Sequence, residues 1–274
     1  AYVLRALAAA GLPAIGWSHS VTGNLFGIPL QPVDLADPDA TARALRGMRP
    51  AVVIHAAAIA LPSECTLNPE RAQRVNVGGS CILAKLANRL VFVSTDLVFD
   101  GERGGYTESD PPAPLSVYGR TKVEAEQAVL AFPQHSVVRV NWMFGPALSG
   151  ERKSFFDFQV LALRDRKPLE LFQDERRSPL GLATAARALV AIVRSEHTGL
   201  LHVGGPEPMS RLEFGHRLAA YLNLDPARIV PKPRPVGERE PRPRDTSFNS
   251  SRWREQFPDV PWPTFEESMR EMPL

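Results

Sequence analysis

The chain has 274 residues, 44% of them hydrophobic, with 32 Lys plus Arg against 30 Asp plus Glu and a formal net charge of +2. That length suits one large domain or a core with a smaller lobe, and so even a charge balance argues against nucleic acid as the partner. No run approaches the ~20 apolar residues of a membrane span, and the two cysteines, Cys65 and Cys81, form neither a C-x-x-C motif nor a disulfide framework, so a reducing, cytoplasmic setting is expected.

Tyr2-Val3-Leu4-Arg5-Ala6-Leu7 opens a helix predicted over residues 2–10 and ended by Gly11 as a glycine C-cap. This apolar start is short and carries Arg5, so it reads as a helix rather than a signal peptide. A strand through Ala14-Ile15-Gly16-Trp17 runs into polar Ser18, His19 and Ser20, and a helix follows over residues 38–46. Val52-Val53-Ile54-His55 reads as a buried strand entering the small-residue turn Ala56-Ala57-Ala58, where backbone can approach a ligand closely. His55 is expected to be structural. A helix over residues 69–88, the strand Leu90-Val91-Phe92-Val93-Ser94-Thr95, a helix over residues 118–132 and the strand Ser136-Val137-Val138-Arg139-Val140 complete the first half. Short apolar β-branched runs alternating with helices predict an α/β fold, a doubly wound parallel sheet that binds ligands beyond its C-terminal strand ends. At Leu86-Ala87-Asn88-Arg89-Leu90 the connection looks short against the usual ~2–6 residues, which suggests skipped residues. Beyond residue 146 the pattern loosens: Gly150-Glu151-Arg152-Lys153, a helix with Phe155, Phe156 and Phe158, Arg176-Arg177-Ser178-Pro179, a helix over residues 182–193 and the strand Leu200-Leu201-His202-Val203. Ser210 and Glu213 form a capping box for a helix over residues 210–222, and a run over residues 231–244 holds five prolines.

Tyr118 and Lys122 carry the chemistry. Four residues apart, they share a helix face, so the ammonium is expected beneath the phenol, lowering its pKa from about 10 toward a usable range. Ser94 or Thr95, leaving the sheet at its C-terminal edge, offers a hydroxyl to the same carbonyl oxygen. Such a set suits hydride transfer to or from a carbon–oxygen bond, with the phenol as general acid or base. A lone Tyr-x-x-x-Lys is equally the mark of an ordinary surface helix; Thr95 at a strand end and the βα frame favour the catalytic reading. No His/Cys/Asp/Glu cluster has metal-ligand spacing, so no metal is expected. Near the end of the second strand no carboxylate stands ready for a ribose 2′-hydroxyl, and Ser18, His19 and Ser20 offer donors to a 2′-phosphate, or form a plain polar loop. NADPH is thus expected, with NADH second.

Val53-Ile54-His55-Ala56-Ala57-Ala58, Arg74-Val75-Asn76-Val77, the pair Val93-Ser94-Thr95-Asp96-Leu97-Val98-Phe99-Asp100-Gly101 and Tyr118 to Lys122, and Arg242-Pro243-Arg244-Asp245-Thr246-Ser247-Phe248-Asn249 resemble the extended short-chain dehydrogenase/reductases, in particular the dTDP-4-dehydrorhamnose reductase branch. The resemblance implies a Rossmann-like sheet over residues 1–145, rejoined by 180–205, and a smaller substrate lobe from 146–179 and 206–274. It implies Thr95, Tyr118 and Lys122 as catalytic residues. Asp34, Ala56, Ala57, Ala58 and Asn76 would meet the cofactor together with Tyr118 and Lys122; Asp96, Asn141, Trp142 and Arg242 would meet a nucleotide-sugar substrate. Alternatives stay open: Asp34 as a cap for the helix that follows, Asn76 as a buried amide bound to the sheet, Asp96 as a turn cap, Trp142 as core.

Two departures stand out. The glycine-rich turn that holds a dinucleotide pyrophosphate is not found, and Ala1 falls inside the helix that normally follows it, so about 15 residues are expected ahead of Ala1 by comparison with the fold. Leu97 replaces the Tyr common in the family after Ser-Thr-Asp. The implied activity is NADPH-dependent reduction of the C4 ketone of a nucleotide-linked deoxysugar. The NADP-binding regulatory β subunit of methionine adenosyltransferase resembles the same branch and is the alternative, as is a reductase for another keto sugar; a homodimer is left open.

Overall fold

The computed structural model describes residues 1–148, 153–235 and 241–272. Gly150, Glu151, Arg152 and part of the proline-rich run lie outside the described residues. Helix α1 (Tyr2–Ala9) ends at Gly11, whose φ of +65° is the left-handed conformation glycine takes without a Cβ penalty. Strand β1 (Gly16–Ser18) pairs in parallel with β3 (Ile28–Pro32), which also pairs antiparallel with β2 (Gly23–Leu25). Helix α2 (Pro38–Met48) is capped by Asp37, whose carboxylate accepts the Asp39 and Ala40 N–H groups, with Pro38 in its first turn.

Strand β4 (Val53–His55) leads through the Ala56-Ala57-Ala58 turn to the short helices α3 (Pro62–Leu67) and α4 (Pro69–Ala72), a π-helical turn (Gln73–Gly78) and α5 (Gly79–Leu86). The helix expected over residues 69–88 is therefore interrupted. Residues 87–89 then span from α5 to β5 (Leu90–Thr95), and Ala87 N–H bonds Leu83 O at 2.8 Å. Helix α6 (Val117–Leu130), capped by the Ser116 hydroxyl, leads to β6 (Ser136–Val140). After β7 (Met143–Phe144) come α7 (Phe155–Arg164), β8 (Leu169–Phe172), β9 (Arg176–Arg177), β10 (Leu180–Gly181), α8 (Leu182–Arg194) and β11 (Gly199–Val203). The chain closes through β12 (Met209–Ser210), α9 (Arg211–Tyr221), β13 (Ile229–Lys232), α10 (Ser251–Gln256) and α11 (Phe265–Arg270).

The main sheet is parallel in the order β11-β6-β5-β4. Its strands are buried on both faces, as their unbroken apolar runs require. Sheet β1-β3-β2 is separate: among the described residues no ladder joins β1 to β4. Val91, Val138, Leu189, Ile192 and Leu201 fill one face of the main sheet together with Trp253 and Phe257, so α10 packs on this core although it belongs to the 206–274 stretch. A second apolar cluster, Phe144, Phe156, Leu171, Phe214, Phe265 and Met269 among its members, is built from α7, β8, α9 and α11. No helix of the described residues is long and apolar enough to cross a membrane.

Candidate active site

Thr95 is the last residue of β5, and its Oγ1 accepts the Leu97 N–H at 3.2 Å, turning the chain sharply at the sheet edge. Tyr118 stands in the first turn of α6, only 9% exposed, with the Thr95 hydroxyl beside its phenol. Gly119 lets α6 approach that turn: a Cβ there would lie 2.3 Å from Leu97 O. Lys122, 3% exposed, follows one helical turn on. The structure thus brings Thr95, Tyr118 and Lys122 to one buried spot, but not as the spacing predicted. The Lys122 ammonium donates to the Val93 carbonyl at 2.7 Å and lies 3.9 Å from the Phe92 ring centroid. The expected lowering of the phenol pKa is reversed: burial raises it well above its usual value, and the Thr95 hydroxyl opposes that only in part. Burial also lowers Lys122 to about 7, against the pull of Glu126.

Asp96 is buried and committed to protein partners. Its Oδ2 lies 3.1 Å from Arg177 Nε and accepts the Thr246 hydroxyl. Burial raises its carboxyl, and Arg177, Thr246 and Arg211 offset part of the rise. Thr95, not Asp96, caps the turn with its side chain. Asn141 is equally committed: Oδ1 accepts the N–H groups of Trp142 and Ser178 at 2.9 and 3.0 Å, and Nδ2 donates to Thr246 O at 2.8 Å. Both residues are scaffold in this state rather than open contacts for a sugar. Trp142, half-buried, packs against Phe214, with the Arg211 guanidinium 3.5 Å over its ring. Arg242 reaches Glu175 Oε2 at 3.1 Å and caps the Phe172 ring. Burial opposes ionisation of Glu175, but Arg211, Arg177 and Arg242 together hold its carboxyl below the usual range.

On the cofactor side, Ala56 and Ala57 are exposed at the C-terminal end of β4. The Asn76 amide grips the loop after them, accepting Ile59 N–H at 2.8 Å and donating to Ile59 O and Thr121 Oγ1 at 3.1 Å each. Asn76 sits in the π-helical turn, and its amide is buried, bound to a loop and to α6 rather than to a strand. The Ser18 hydroxyl bonds its own turn at Val21, Ser20 is exposed, and His19 Nδ1 is 3.6 Å from Asp34 Oδ1. A carboxylate therefore does stand at this corner, supplied across β1 and β3 by Asp34, contrary to the expectation drawn from the local stretch. Asp34 accepts the Ala36 N–H at 2.9 Å, whereas the helix cap is Asp37. His55 is buried against Ser80, 3.0 Å away, and burial, then Lys122, lowers it to about 3, which fits the structural role expected of it. Among the described residues no group of His, Cys, Asp and Glu is arranged to hold a metal.

Sequence reasoning missed Glu126, Arg139, Glu175, Arg177 and Arg211. A charged residue inside an apolar strand, as Arg139 is, was the available signal, since a buried charge needs a partner. Glu175 lies between the short strands β8 and β9 and Arg211 opens α9, and neither gave such a sign.

The family model described as RmlD substrate binding domain matches residues 6–273. The chain belongs to that family. It is 34% identical over 238 residues to a dTDP-4-dehydrorhamnose reductase of Mycobacterium tuberculosis, covering 80% of this chain and 75% of that protein. It is 30% identical over 233 residues to the methionine adenosyltransferase 2 subunit beta of Danio rerio, covering 80% and 71%. Among solved structures, a hypothetical dTDP-4-dehydrorhamnose reductase from Sulfolobus tokodaii superposes with a TM-score of 0.81 at 26% identity, covering 93% and 91% of the two chains. Rossmann-like architecture is common to this family and the chain.

Proposed function

We propose that this chain reduces the C4 ketone of a dTDP-linked 4-keto-6-deoxyhexose, the reaction of a dTDP-4-dehydrorhamnose reductase, with NADPH as donor and NADH as the weaker one. The observation that carries the reading is the meeting of buried Thr95, Tyr118 and Lys122 at the C-terminal sheet edge, in a member of this family. The exposed alanines after β4 and the loop gripped by Asn76 fit a flat dinucleotide ring, since small side chains leave the backbone approachable. His19 and Asp34 would meet the adenosine end, and Lys122 the nicotinamide ribose. When bound, the reduced nicotinamide supplies the hydride to the carbonyl carbon. Tyr118 gives its proton to the oxygen, which becomes the alcohol, and Thr95 holds that oxygen by a hydrogen bond. A phenol kept protonated by burial is suited to giving a proton to a developing alkoxide, a far stronger base. Residues 146–179 and 206–274 are proposed as the substrate lobe, with Trp142 and Arg242 at the nucleotide sugar.

The similarity to a methionine adenosyltransferase subunit favours a second reading, an NADP-binding regulatory role. One experiment separates them: NADPH oxidation is followed with dTDP-4-dehydrorhamnose and with UDP-linked and other keto sugars. Turnover with the dTDP sugar supports the reductase. Tight NADPH binding with no turnover of any of these sugars would replace it with the regulatory reading.

A further inference from the structure

Beneath Lys122 lies a charged assembly that sequence spacing did not suggest. Glu126 follows Lys122 by four residues on α6 and shares its face. It is 2% exposed, yet its carboxylate is fully held: Arg139 Nε lies 3.0 and 3.1 Å from its two oxygens, an Arg139 terminal nitrogen is 2.6 Å from Oε2, and the Ser94 hydroxyl donates to Oε1. Arg139 comes from β6 and Ser94 from β5, so the sheet itself fixes the carboxylate. Behind it, the other Arg139 terminal nitrogen donates to His202 Nε2 at 3.3 Å. His202 Nδ1 then donates to Tyr106 O at 3.0 Å, the tautomer both partners require.

The remaining groups near Lys122 do not replace Glu126. His55 on β4 is buried and neutral, Tyr118 on α6 is kept protonated by burial, Asp96 past β5 is paired with Arg177, and Glu124 on α6 points out to Gln73. Val93 O is an uncharged acceptor and Phe92 offers only its ring face.

We propose that Glu126 is a positioning residue that keeps Lys122 charged and aimed at the cofactor side, with Arg139 and Ser94 locking the carboxylate in place. The pair acts in opposite senses. The Glu126 carboxylate favours the ammonium, whereas the Arg139 guanidinium behind it tempers that effect. Lys122, already lowered to about 7 by burial, sits where such a balance decides its charge at neutral pH.

The protein has only five lysines, so Lys122 can be titrated directly by NMR of lysine labelled at the ε-carbon, without any substrate. Glu126→Gln is expected to move the Lys122 midpoint down by about one pH unit or more, and Arg139→Gln to move it up. The double variant Glu126→Gln/Arg139→Gln removes both buried charges and preserves the shape if a single variant fails to fold. It is still expected to lower the midpoint, because the carboxylate shares the α6 face of Lys122 whereas Arg139 stands on β6. The pH at which NADPH affinity falls on the alkaline side should follow the same order. An unchanged midpoint in the Glu126→Gln protein, or in the double variant where that protein does not fold, overturns the proposal. So does movement of both single variants in one direction. The inference rests on the cofactor role given to Lys122 only for its effect on affinity; if the titration behaves as stated and no keto sugar is reduced, the reductase reading fails and this one stands.

Discussion

Tyr118 is the residue on which most of the chemistry turns. A phenol raised by burial holds its proton throughout the neutral range, so its role in the proposed reduction is that of a donor, with Thr95 beside it to share the same oxygen. Tyr118→Phe is expected to lower kcat by roughly 10²–10⁴-fold, the usual span for a positioned general acid, while NADPH affinity by fluorescence titration stays near that of the parent. Unchanged kcat would remove the phenol from the reaction. That Tyr118 and Lys122 share a helix face beside the end of β5 was legible from spacing, but where the ammonium goes was not. Its acceptor is a carbonyl on a strand 29 positions earlier, and that contact exists only once α6 is laid on the sheet. Cofactor choice has the same character. No acid occurs between Trp17 and Ser20, yet folding brings Asp34 within 3.6 Å of His19. A carboxylate there repels a 2′-phosphate and accepts a hydrogen bond from a free 2′-hydroxyl, so Asp34→Asn should raise the ratio of NADPH to NADH affinity. Salt screening limits the effect at an exposed site, so calorimetric titrations of both cofactors need matched ionic strength. A ratio that falls would place the ribose elsewhere.

At the scale of elements, α6 was read to within a residue or two, because its strand-to-helix setting is a local signal. The segment over residues 69–88 was not. A π-helical turn adds a residue per turn in a way that apolar periodicity does not register, and such turns cluster at functional sites. Asn76 sits inside this one, its amide satisfied by the Ile59 backbone and the Thr121 hydroxyl. The turn is therefore held by partners from two other elements, which local sequence does not announce. Gly119 shows the reverse case, in which a small residue marks close approach. A methyl at this position would lie 2.3 Å from Leu97 O and 2.9 Å from Pro114 Cβ, and the first of these is backbone. Gly119→Ala should gain a few tenths of helix propensity at most but force α6 away from the β5 turn. The expected net loss is about 1–3 kcal/mol of stability by urea unfolding, together with reduced kcat, because Tyr118 is the adjacent residue. Equal stability to the parent would mean that the turn shifts freely and does not position the phenol.

Across the whole molecule, the parallel main sheet followed from the alternation of apolar runs and helices, whereas the ionic interior did not. Arg139 with Glu126 and Arg177 with Asp96 each join residues from different elements, and such pairing is settled only by the tertiary fold. Among the buried groups, two histidines and Lys122 tie stability to pH in one direction. His55 and His202 are each lowered to about 3 by burial, with Lys122 and Arg139 respectively adding to the effect. Unfolded, each takes up a proton near pH 6.5. Between those limits the unfolded chain binds more protons than the native one, so each histidine removes about 1.4 kcal/mol of stability per pH unit as the pH falls from about 6.5 toward 3. Lys122 extends the trend upward. Its native value of about 7 lies below the unfolded one, so between about 7 and about 10.4 the unfolded chain again holds the extra proton, and stability rises with pH. Glu175, held low by its three arginines against burial, adds a loss in acid: its contribution is present above the unfolded glutamate value and disappears as pH drops through the native one. Urea unfolding of the cofactor-free protein should therefore show a midpoint that climbs steadily from pH 5 to pH 9. His202→Gln should flatten the part of the slope below about pH 6.5 and leave the part above about pH 7 unchanged. A midpoint independent of pH across this range would mean that these groups titrate in the native state as they do in water.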